Sequence, residues 1–325
     1  MIRARGVSRA LPAGLVWVVK EFVISQSGSD QLARGLFEAA SSRVALVHLD
    51  QTWQRVLQSH DYPPAISALL GQLMAATALL ASTIKDETSL KVEIRGSGPL
   101  TLVAVECNSR GEMRALARWS DPLGNIASGG LQALVGNGLL VMTTEPPKGE
   151  RYQGIVSLEG DTIAIVLERY FRDSEQLPTR LWLSADEQRA TGLLLQQIPG
   201  EREEDSWQRL QALTDTVTHQ ELLELPREQL LQRLYHQEEL KMFASKGHEF
   251  RCGCSQAKVG EMLISIGRQE VEETIEQEGE VKVDCEFCNQ VYLYDQQAVA
   301  DCLVIRMAMF CIRPGWRLLH AYADR

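Results

Sequence analysis

The fold class is decided by residues 89–119, which read SLKVEIRGSGPLTLVAVECNSRGEMRALARW. Apolar and polar side chains alternate here in three short runs, 89–95, 100–106 and 112–119, as in strands that bury one face. Gly-rich segments at 96–99 and 108–111 join the runs, and connections this short suit antiparallel neighbours. The stretch therefore predicts an antiparallel sheet.

The segments on either side of this stretch add helices and further strands. Pro63-Pro64 is expected to open a long apolar helix, since proline is favoured at a helix start. Strands are predicted at 44–49, 139–144, 152–158, 180–185 and 191–198, and helices at 30–39, 51–58, 65–83 and 162–172, the last with Asp161 as N-cap. A hairpin turn is predicted at 136–138. Residues 30–199 are thus expected to form an α+β core domain, an antiparallel sheet with packed helices rather than a doubly wound parallel sheet.

The composition changes after Gly200. Residues 200–249 are charged, have a helical period and carry leucines on their apolar faces, and Pro226 is expected to divide them into two helices. These leucines are too few for an independent core. The segment is therefore predicted to be a helical linker held by the N-terminal core, by the C-terminal module, or by both.

Four of the seven cysteines lie in two close pairs, Cys252-Gly253-Cys254 and Cys285-Glu286-Phe287-Cys288. Two such pairs supply the four thiolates of a tetrahedral structural zinc site. Gly253 is expected to free the backbone for a tight turn. Residues 250–301 are too few to fold on a core alone, so a single bound zinc ion is expected to stabilise them. The odd, clustered cysteine count also indicates a reducing compartment.

The residues alone leave two readings of this site open. A static zinc ribbon is the commonest use of such pairs. A redox switch is the other, because each pair could close a disulfide and the ring formed by a C-x-C pair is strained. A catalytic zinc site is disfavoured, since four thiolates leave no open coordination position.

Net charge argues against some partners. Lys and Arg total 33 against 43 Asp and Glu, which gives a net charge of −10, and the zinc module is rich in glutamate. Proteins that bind nucleic acid chiefly through phosphates are usually basic, so no nucleic-acid partner is expected. The apolar runs are shorter than a membrane helix requires, and no membrane partner is expected. The alternative to a switch is a static zinc-ribbon protein that binds nucleic acid or a protein partner.

The two ends differ from the body of the chain. Residues 1–29 faintly resemble a secretory signal, but Pro12 and Gly14 interrupt the apolar run and Lys20 and Glu21 follow it. They are interpreted as an extension of uncertain order. Residues 302–325 form an atypical tail, interpreted as a peripheral packing element.

Several motifs resemble one known family, the redox-regulated heat-shock chaperones called the thirty-three-kilodalton chaperonin, HslO. The resemblance covers residues 30–301 and departs from the family at both ends. The matching stretches are 60–63 (HDYP), 149–154 (GERYQG), 158–161 (LEGD), 174–181 (SEQLPTRL), 233–236 (RLYH) and the C-x-C…C-x-x-C array.

The resemblance implies a function and a mechanism. It implies an ATP-independent holdase, not an enzyme, that works in the cytoplasm under oxidative stress and holds zinc through Cys252, Cys254, Cys285 and Cys288 while reduced. On oxidation, it implies disulfides Cys252–Cys254 and Cys285–Cys288, release of zinc, and binding of unfolding client proteins. It further implies a homodimer in the active state and transfer of clients to an ATP-dependent foldase.

Overall fold

The computed structural model describes residues 15–18, 29–84, 87–120 and 130–299. The chain divides into two compact units, residues 1–251 and residues 252–325. Within the described ranges, the first unit holds two six-stranded sheets and the second a two-stranded sheet with two helices. The predicted α+β class is confirmed.

The first sheet, here called sheet 1, has the strand order β1-β11-β2-β3-β10-β9, and all its neighbouring strands are antiparallel. Its strands are β1 (Leu15–Val18), β2 (Gln31–Phe37), β3 (Ser42–Leu49), β9 (Thr179–Ala185), β10 (Ala190–Gln197) and β11 (Lys241–Gly247). The predicted strands in residues 44–49, 180–185 and 191–198 are confirmed.

The second sheet, sheet 2, has the order β12-β6-β5-β4-β7-β8 and contains the stretch that predicted the fold class. Its strands are β4 (Ser89–Gly96), β5 (Leu100–Cys107), β6 (Glu112–Trp119), β7 (Gly138–Glu145), β8 (Tyr152–Ser157) and β12 (Glu249–Phe250). The meander β6-β5-β4 is antiparallel as predicted, and β7 and β8 pair in the same sense. The two-residue strand β12 pairs in parallel with β6.

Helix α2 (Pro64–Ala81) is the centre of the first unit. It begins at Pro64 as predicted and contacts strands of both sheets, so it is apolar on nearly all sides. Gly71 and Gly192 permit its close approach to sheet 1, since a Cβ on Gly71 would lie 2.5 Å from the Cβ of Ala185. The helix is long and apolar enough to cross a membrane by length and composition, but core helices pass the same test and 67% of it is buried here.

The predicted helix at residues 30–39 is wrong, because this segment forms β2. Its apolar residues fit either period, and pairing with β3 on one side and β11 on the other favours the strand. Asp30 does not start a helix of its own. Its carboxylate instead accepts hydrogen bonds from the backbone N–H groups of Asp50, Gln51 and Thr52, at 2.8–3.1 Å, and so caps α1 (Gln51–Leu57) from outside.

Two local predictions near residue 160 and residue 136 are also wrong. The N-cap of α4 (Ile163–Asp173) is Thr162, whose hydroxyl accepts a hydrogen bond from the N–H of Ile165, and not Asp161. Residues 136–138 do not close a hairpin. Gly136 adopts a φ of 65° directly after α3 (Gly130–Val135) and ends that helix, as glycine in the left-handed region commonly does.

The linker forms three helices instead of the predicted two. They are α5 (Ser206–Thr214), α6 (His219–Glu224) and α7 (Arg227–Tyr235). The extra break precedes α6, where Thr218 and Glu221 form a reciprocal capping box. Pro226 separates α6 from α7 as predicted.

The linker helices pack against one face of sheet 1, so the predicted contact with the N-terminal core is confirmed. The sheet supplies Ala33, Phe37, Val44, Leu46, Leu193 and Leu195, and the linker supplies Leu210, Leu222, Leu230, Leu231, Leu234, Tyr235 and Leu240. The rest of residues 200–249 is not helical. It enters sheet 1 as β11, and β12 begins at Glu249.

One strand of sheet 1 comes from the N-terminal extension. Residues Leu15–Val18 pair with β11, with Leu15 opposite Phe243 and Val18 opposite Lys241. Without β1, β11 would be the edge strand of the sheet. Residues 1–14 and 19–28 of the extension, and the predicted tail at 302–325, lie outside the described residues.

Removal of residues 1–28 tests this contact. Sheet 1 retains its remaining strands, so we expect the truncated chain to fold and to keep its metal site. Because β11 then lies at the edge, amide hydrogen exchange across residues 241–247 should become faster. Exchange in α2 serves as the internal control and should not change. Unchanged protection of residues 241–247 would contradict the role assigned to β1.

Candidate metal centre

The second unit has a small apolar core. It consists of helices α8 (Gln256–Ile266) and α9 (Arg268–Glu278) and the hairpin β13 (Val281–Asp284) and β14 (Val291–Tyr294). Its buried apolar residues in the described part are Val259, Leu263, Val271, Tyr294 and Val299. So few buried side chains rarely stabilise a module of this size without a cross-link or a metal ion.

The first cysteine pair lies directly before α8. Ser255 caps that helix by accepting a hydrogen bond from the N–H of Lys258, which fixes the turn that carries Cys252 and Cys254. The Lys258 ammonium donates to the carbonyl of Gly253 at 2.7 Å. Gly253 is not among the residues with a positive φ, and a Cβ there would meet only the Lys258 Nζ at 3.4 Å. The turn therefore does not use the backbone freedom that Gly253 was predicted to provide.

The second pair lies in the turn between β13 and β14. The N–H groups of Cys288 and Asn289 both donate to the carbonyl of Cys285, at 3.2 and 2.7 Å, and the Cys285 N–H donates to the carbonyl of Gln290. Asn289 takes the left-handed conformation, with a φ of 57°. Asparagine tolerates this region better than most residues. The turn holds both thiols on one side of the hairpin end.

The four predicted cysteines come together. Their sulfur atoms all lie within 4.8 Å of one another, with 3.6 Å between the sulfurs of Cys252 and Cys285 and 3.4 Å between those of Cys254 and Cys288. Four sulfurs placed at about 2.3 Å around a tetrahedral zinc ion would lie about 3.8 Å apart. The donor set and its spacing therefore fit a tetrahedral ion of zinc type, and the cluster could bind a metal ion.

The surroundings of the thiols affect their ionisation. Burial raises the pKa of Cys252 and of Cys288. Burial also acts on Cys254, but hydrogen bonds from Tyr292 and from the neighbouring thiols outweigh it and lower the pKa of Cys254 to about 7. Since thiolates are the metal ligands and the nucleophiles, the lowered pKa makes the Cys254 thiol more readily available near neutral pH than an ordinary cysteine.

Sequence reasoning did not identify the residues that support this centre. They are Ser255, Lys258, Asn289 and Tyr292, which fix the two turns or contact a thiol. The serine after the second cysteine, followed by a helical period, was an available N-cap signal. The contact from Tyr292 depends on the hairpin register, which pairs it with Val283.

A family model described as Hsp33 protein matches residues 30–295. The chain belongs to this family. The 33 kDa chaperonin of Pseudomonas paraeruginosa is 45% identical over 283 residues, which is 85% of this chain and 95% of that protein. The 33 kDa chaperonin of Yersinia pestis is 44% identical over 280 residues, 84% of this chain and 95% of its own.

A solved structure shows the same fold. The crystal structure of the 33 kDa chaperonin from Thermotoga maritima superposes with a TM-score of 0.76, covers 86% of this chain and all of its own, and is 19% identical. The resemblance inferred from sequence motifs is thus confirmed. The Hsp33 family is a family of chaperones and not a class of enzymes. Its matched region contains both cysteine pairs and the linker.

Replacement of one cysteine pair tests the metal centre. The variant Cys285→Ser/Cys288→Ser keeps two of the four clustered thiols, too few for a closed tetrahedral site, so we expect its metal content to fall from about one ion per chain to near zero. Metal analysis of the purified reduced protein measures this. The matched control is Cys107→Ala, because Cys107 is a buried core thiol of β5 and should leave the metal content unchanged. Full occupancy in the double variant would contradict the assignment.

Proposed function

We propose that this chain is a redox-regulated, ATP-independent holdase chaperone. In the reduced state one zinc ion is bound by Cys252, Cys254, Cys285 and Cys288, and the protein is inactive. Oxidation converts the near neighbours of each pair to disulfides, Cys252–Cys254 and Cys285–Cys288, and zinc is released. The second unit and the linker then lose their fold, and the exposed surfaces bind unfolding proteins and prevent their aggregation.

The observation that carries this proposal is the apolar face of sheet 1 beneath the linker helices. Its residues Leu46, Leu193 and Leu195 are wholly buried, and on the linker side Leu210 and Leu230 are equally buried. Detachment of the helices would expose both surfaces at once. A contiguous apolar surface of this kind is what a holdase needs to retain unfolding chains.

The linker helices depend on this contact for their stability. They contain nine, six and nine residues, and isolated helices of such length are not stable in water. Each buried leucine stabilises the packed state by roughly 2 kcal/mol. The linker is therefore folded only while it is packed, and exposure of its leucines follows directly from release.

The redox step has a simple balance. Each pair of thiolates loses two electrons when its S–S bond forms. A peroxide is the class of oxidant that accepts them: its O–O bond breaks, it takes two protons from solvent, and it yields two waters, or one water and one alcohol. A disulfide sulfur is a poor zinc ligand, so the oxidised pairs would no longer hold a zinc ion. Structural zinc contributes on the order of 10–16 kcal/mol to the folding of small modules, and its loss removes that stabilisation.

A polar contact also holds the linker on the core. Arg189, in the turn between β9 and β10, forms a bidentate ion pair with Asp50 at 2.5 and 2.9 Å and donates to the carbonyl of Leu223 in α6 at 2.5 Å. His48 lies buried nearby. Burial and the charges of Arg189 and Arg227 lower its pKa to about 3, so it is neutral at physiological pH. Through its contacts with Asp50 and with the carbonyl of Leu223, Arg189 connects the core to the linker backbone.

The proposed function also specifies the partners of the protein and the compartment in which it acts. The partners are unfolding client proteins, a second copy of the chain in the active homodimer, and an ATP-dependent foldase that receives the clients. The protein acts in the cytoplasm under oxidative stress and is not an enzyme. The acidic net charge of −10 supports the absence of a nucleic-acid partner. The burial of α2 supports the absence of a membrane-spanning role.

Hydrogen exchange across residues 201–240 tests the release of the linker. We expect slow exchange in the reduced zinc-bound protein and fast exchange after peroxide treatment, because the helices are stable only when packed. Suppression of client aggregation should rise over the same time course. Amides of α2 are the internal control and should stay protected in both states. An oxidised protein that suppresses aggregation while residues 201–240 remain protected would exclude linker release as the mechanism.

The variant Arg189→Met tests the polar contact. It removes charged hydrogen bonds worth about 1.5–3 kcal/mol, so exchange in α6 and α7 should accelerate roughly tenfold or more in the reduced protein. Aggregation suppression should then begin at a lower oxidant dose. The matched control is Arg172→Met, because Arg172 is exposed and pairs only with its neighbour Asp173 among the residues described. Equal behaviour of the two variants would rule out a role of Arg189 in holding the linker.

A further inference from the structure

A cavity of about 260 Å³ lies on sheet 1 near the end of α2. Helix α2 ends at Ala81, and the cavity is lined by Ser82 and Thr83 and by residues of β2, β3, β10 and β11. The strand register places Arg34 of β2 opposite Ala45 of β3. Arg43 lies two residues before Ala45 on the same strand, and residues two apart share a face, so both arginines extend from the same face of sheet 1. Two cationic side chains therefore line one cavity.

No carboxylate of the residues that the structure describes neutralises either arginine. In the part of the chain that the structure describes, Arg34 and Arg43 take part in no ion pair, although most other arginines do. The Nε of Arg34 is buried and has no hydrogen-bond partner among the described residues. Burial lowers the pKa of Arg43, whose only polar partner in the same region is a neutral amide. Both residues are half-buried, and a cation that is partly removed from water without a counter-ion is unfavourable.

The guanidinium of Arg43 is held in place. Its Nε donates to the side-chain oxygen of Gln196 at 2.9 Å, and a second nitrogen of the same group contacts that oxygen. Gln196 is itself wholly buried and donates to the hydroxyl of Thr179 at 2.7 Å. This chain of contacts orients the guanidinium before any ligand arrives, which lowers the entropic cost of binding.

The end of α2 does not account for the two cations. A helix C-terminus attracts cations through its free carbonyl groups. Here the carbonyls of Leu79 and Leu80 already accept hydrogen bonds from the hydroxyls of Ser82 and Thr83, at 2.6 and 2.7 Å. The backbone N–H of Ser82 also donates to this last turn. The positive charge thus remains available to a ligand.

We propose that this cavity binds a small phosphate anion, either free phosphate or a short phosphate chain. Guanidinium groups match phosphate oxygens in geometry and charge, and two of them line this cavity. The chain carries a net charge of −10, so anions are not attracted by the protein as a whole and binding would depend on this local pair. Phe243 of β11 forms one wall, so the bound anion would contact core and linker strands together.

The test uses the full-length reduced protein with its metal bound. Orthophosphate and tripolyphosphate are titrated separately by calorimetry at constant ionic strength. We expect saturable binding of one anion per chain and a matching rise in melting temperature. Saturation by both probes assigns the site to a single phosphate group, and saturation by tripolyphosphate alone assigns it to a phosphate chain; either result supports the proposal.

Variants separate this site from general charge effects. Arg34→Gln should raise the dissociation constant about tenfold or more, since it removes a charged hydrogen-bond donor that has no partner in the unliganded cavity. Arg43→Gln should act in the same direction, and if it does not fold, Arg34→Gln alone decides. The control is Arg95→Gln, because Arg95 is 64% exposed and lies on sheet 2. Absence of saturation, or equal affinity in folded Arg34→Gln and wild type, would overturn the proposal.

Discussion

Burial of the linker leucines on sheet 1 is the contact on which the folded linker of the first unit depends. Helices of nine, six and nine residues have no stability of their own, and sheet 1 has an apolar face that water would otherwise contact. The leucine faces of the linker helices and the apolar face of sheet 1 therefore cover each other. The segment after α7 extends this dependence, because its strands β11 and β12 join sheet 1 and sheet 2 respectively.

The two units are stabilised by different means. The first has a large apolar core around α2, with some forty buried side chains that come from both sheets and from the helices. The second has five buried side chains in its described part and four thiols within 4.8 Å of one another. Oxidation of the thiols therefore removes stabilisation from the unit with the smaller core, so that this unit is expected to unfold while the large core stays folded.

Sequence reasoning succeeded where the pattern is local. The alternation in residues 89–119 gave three strands of sheet 2, and two close cysteine pairs predicted the cluster. It failed at residues 30–39, where apolar positions fit both a helix and a strand and only pairing with β3 and β11 decides. It also missed the strand Leu15–Val18, since a four-residue strand carries little signal and depends on a partner 220 residues or more further along the chain. The contact of Tyr292 with Cys254 was also missed, because it depends on the register of the hairpin β13–β14, which the sequence pattern does not define.

The linker is continuous along the chain with the first cysteine pair, and this connection predicts the order in which its parts leave the core. The N–H of Arg251 donates to the carbonyl of Met113 at 2.8 Å, and the next residue is Cys252. The anchor formed there is the shortest strand of sheet 2, two residues paired in parallel, and its side chains are not fully buried. Strand β11 is longer but is also incompletely buried and has an irregular register between Phe243 and Lys246. We therefore expect release to begin at β12, next to the thiols, to continue through β11, and to reach the leucine-packed helices last.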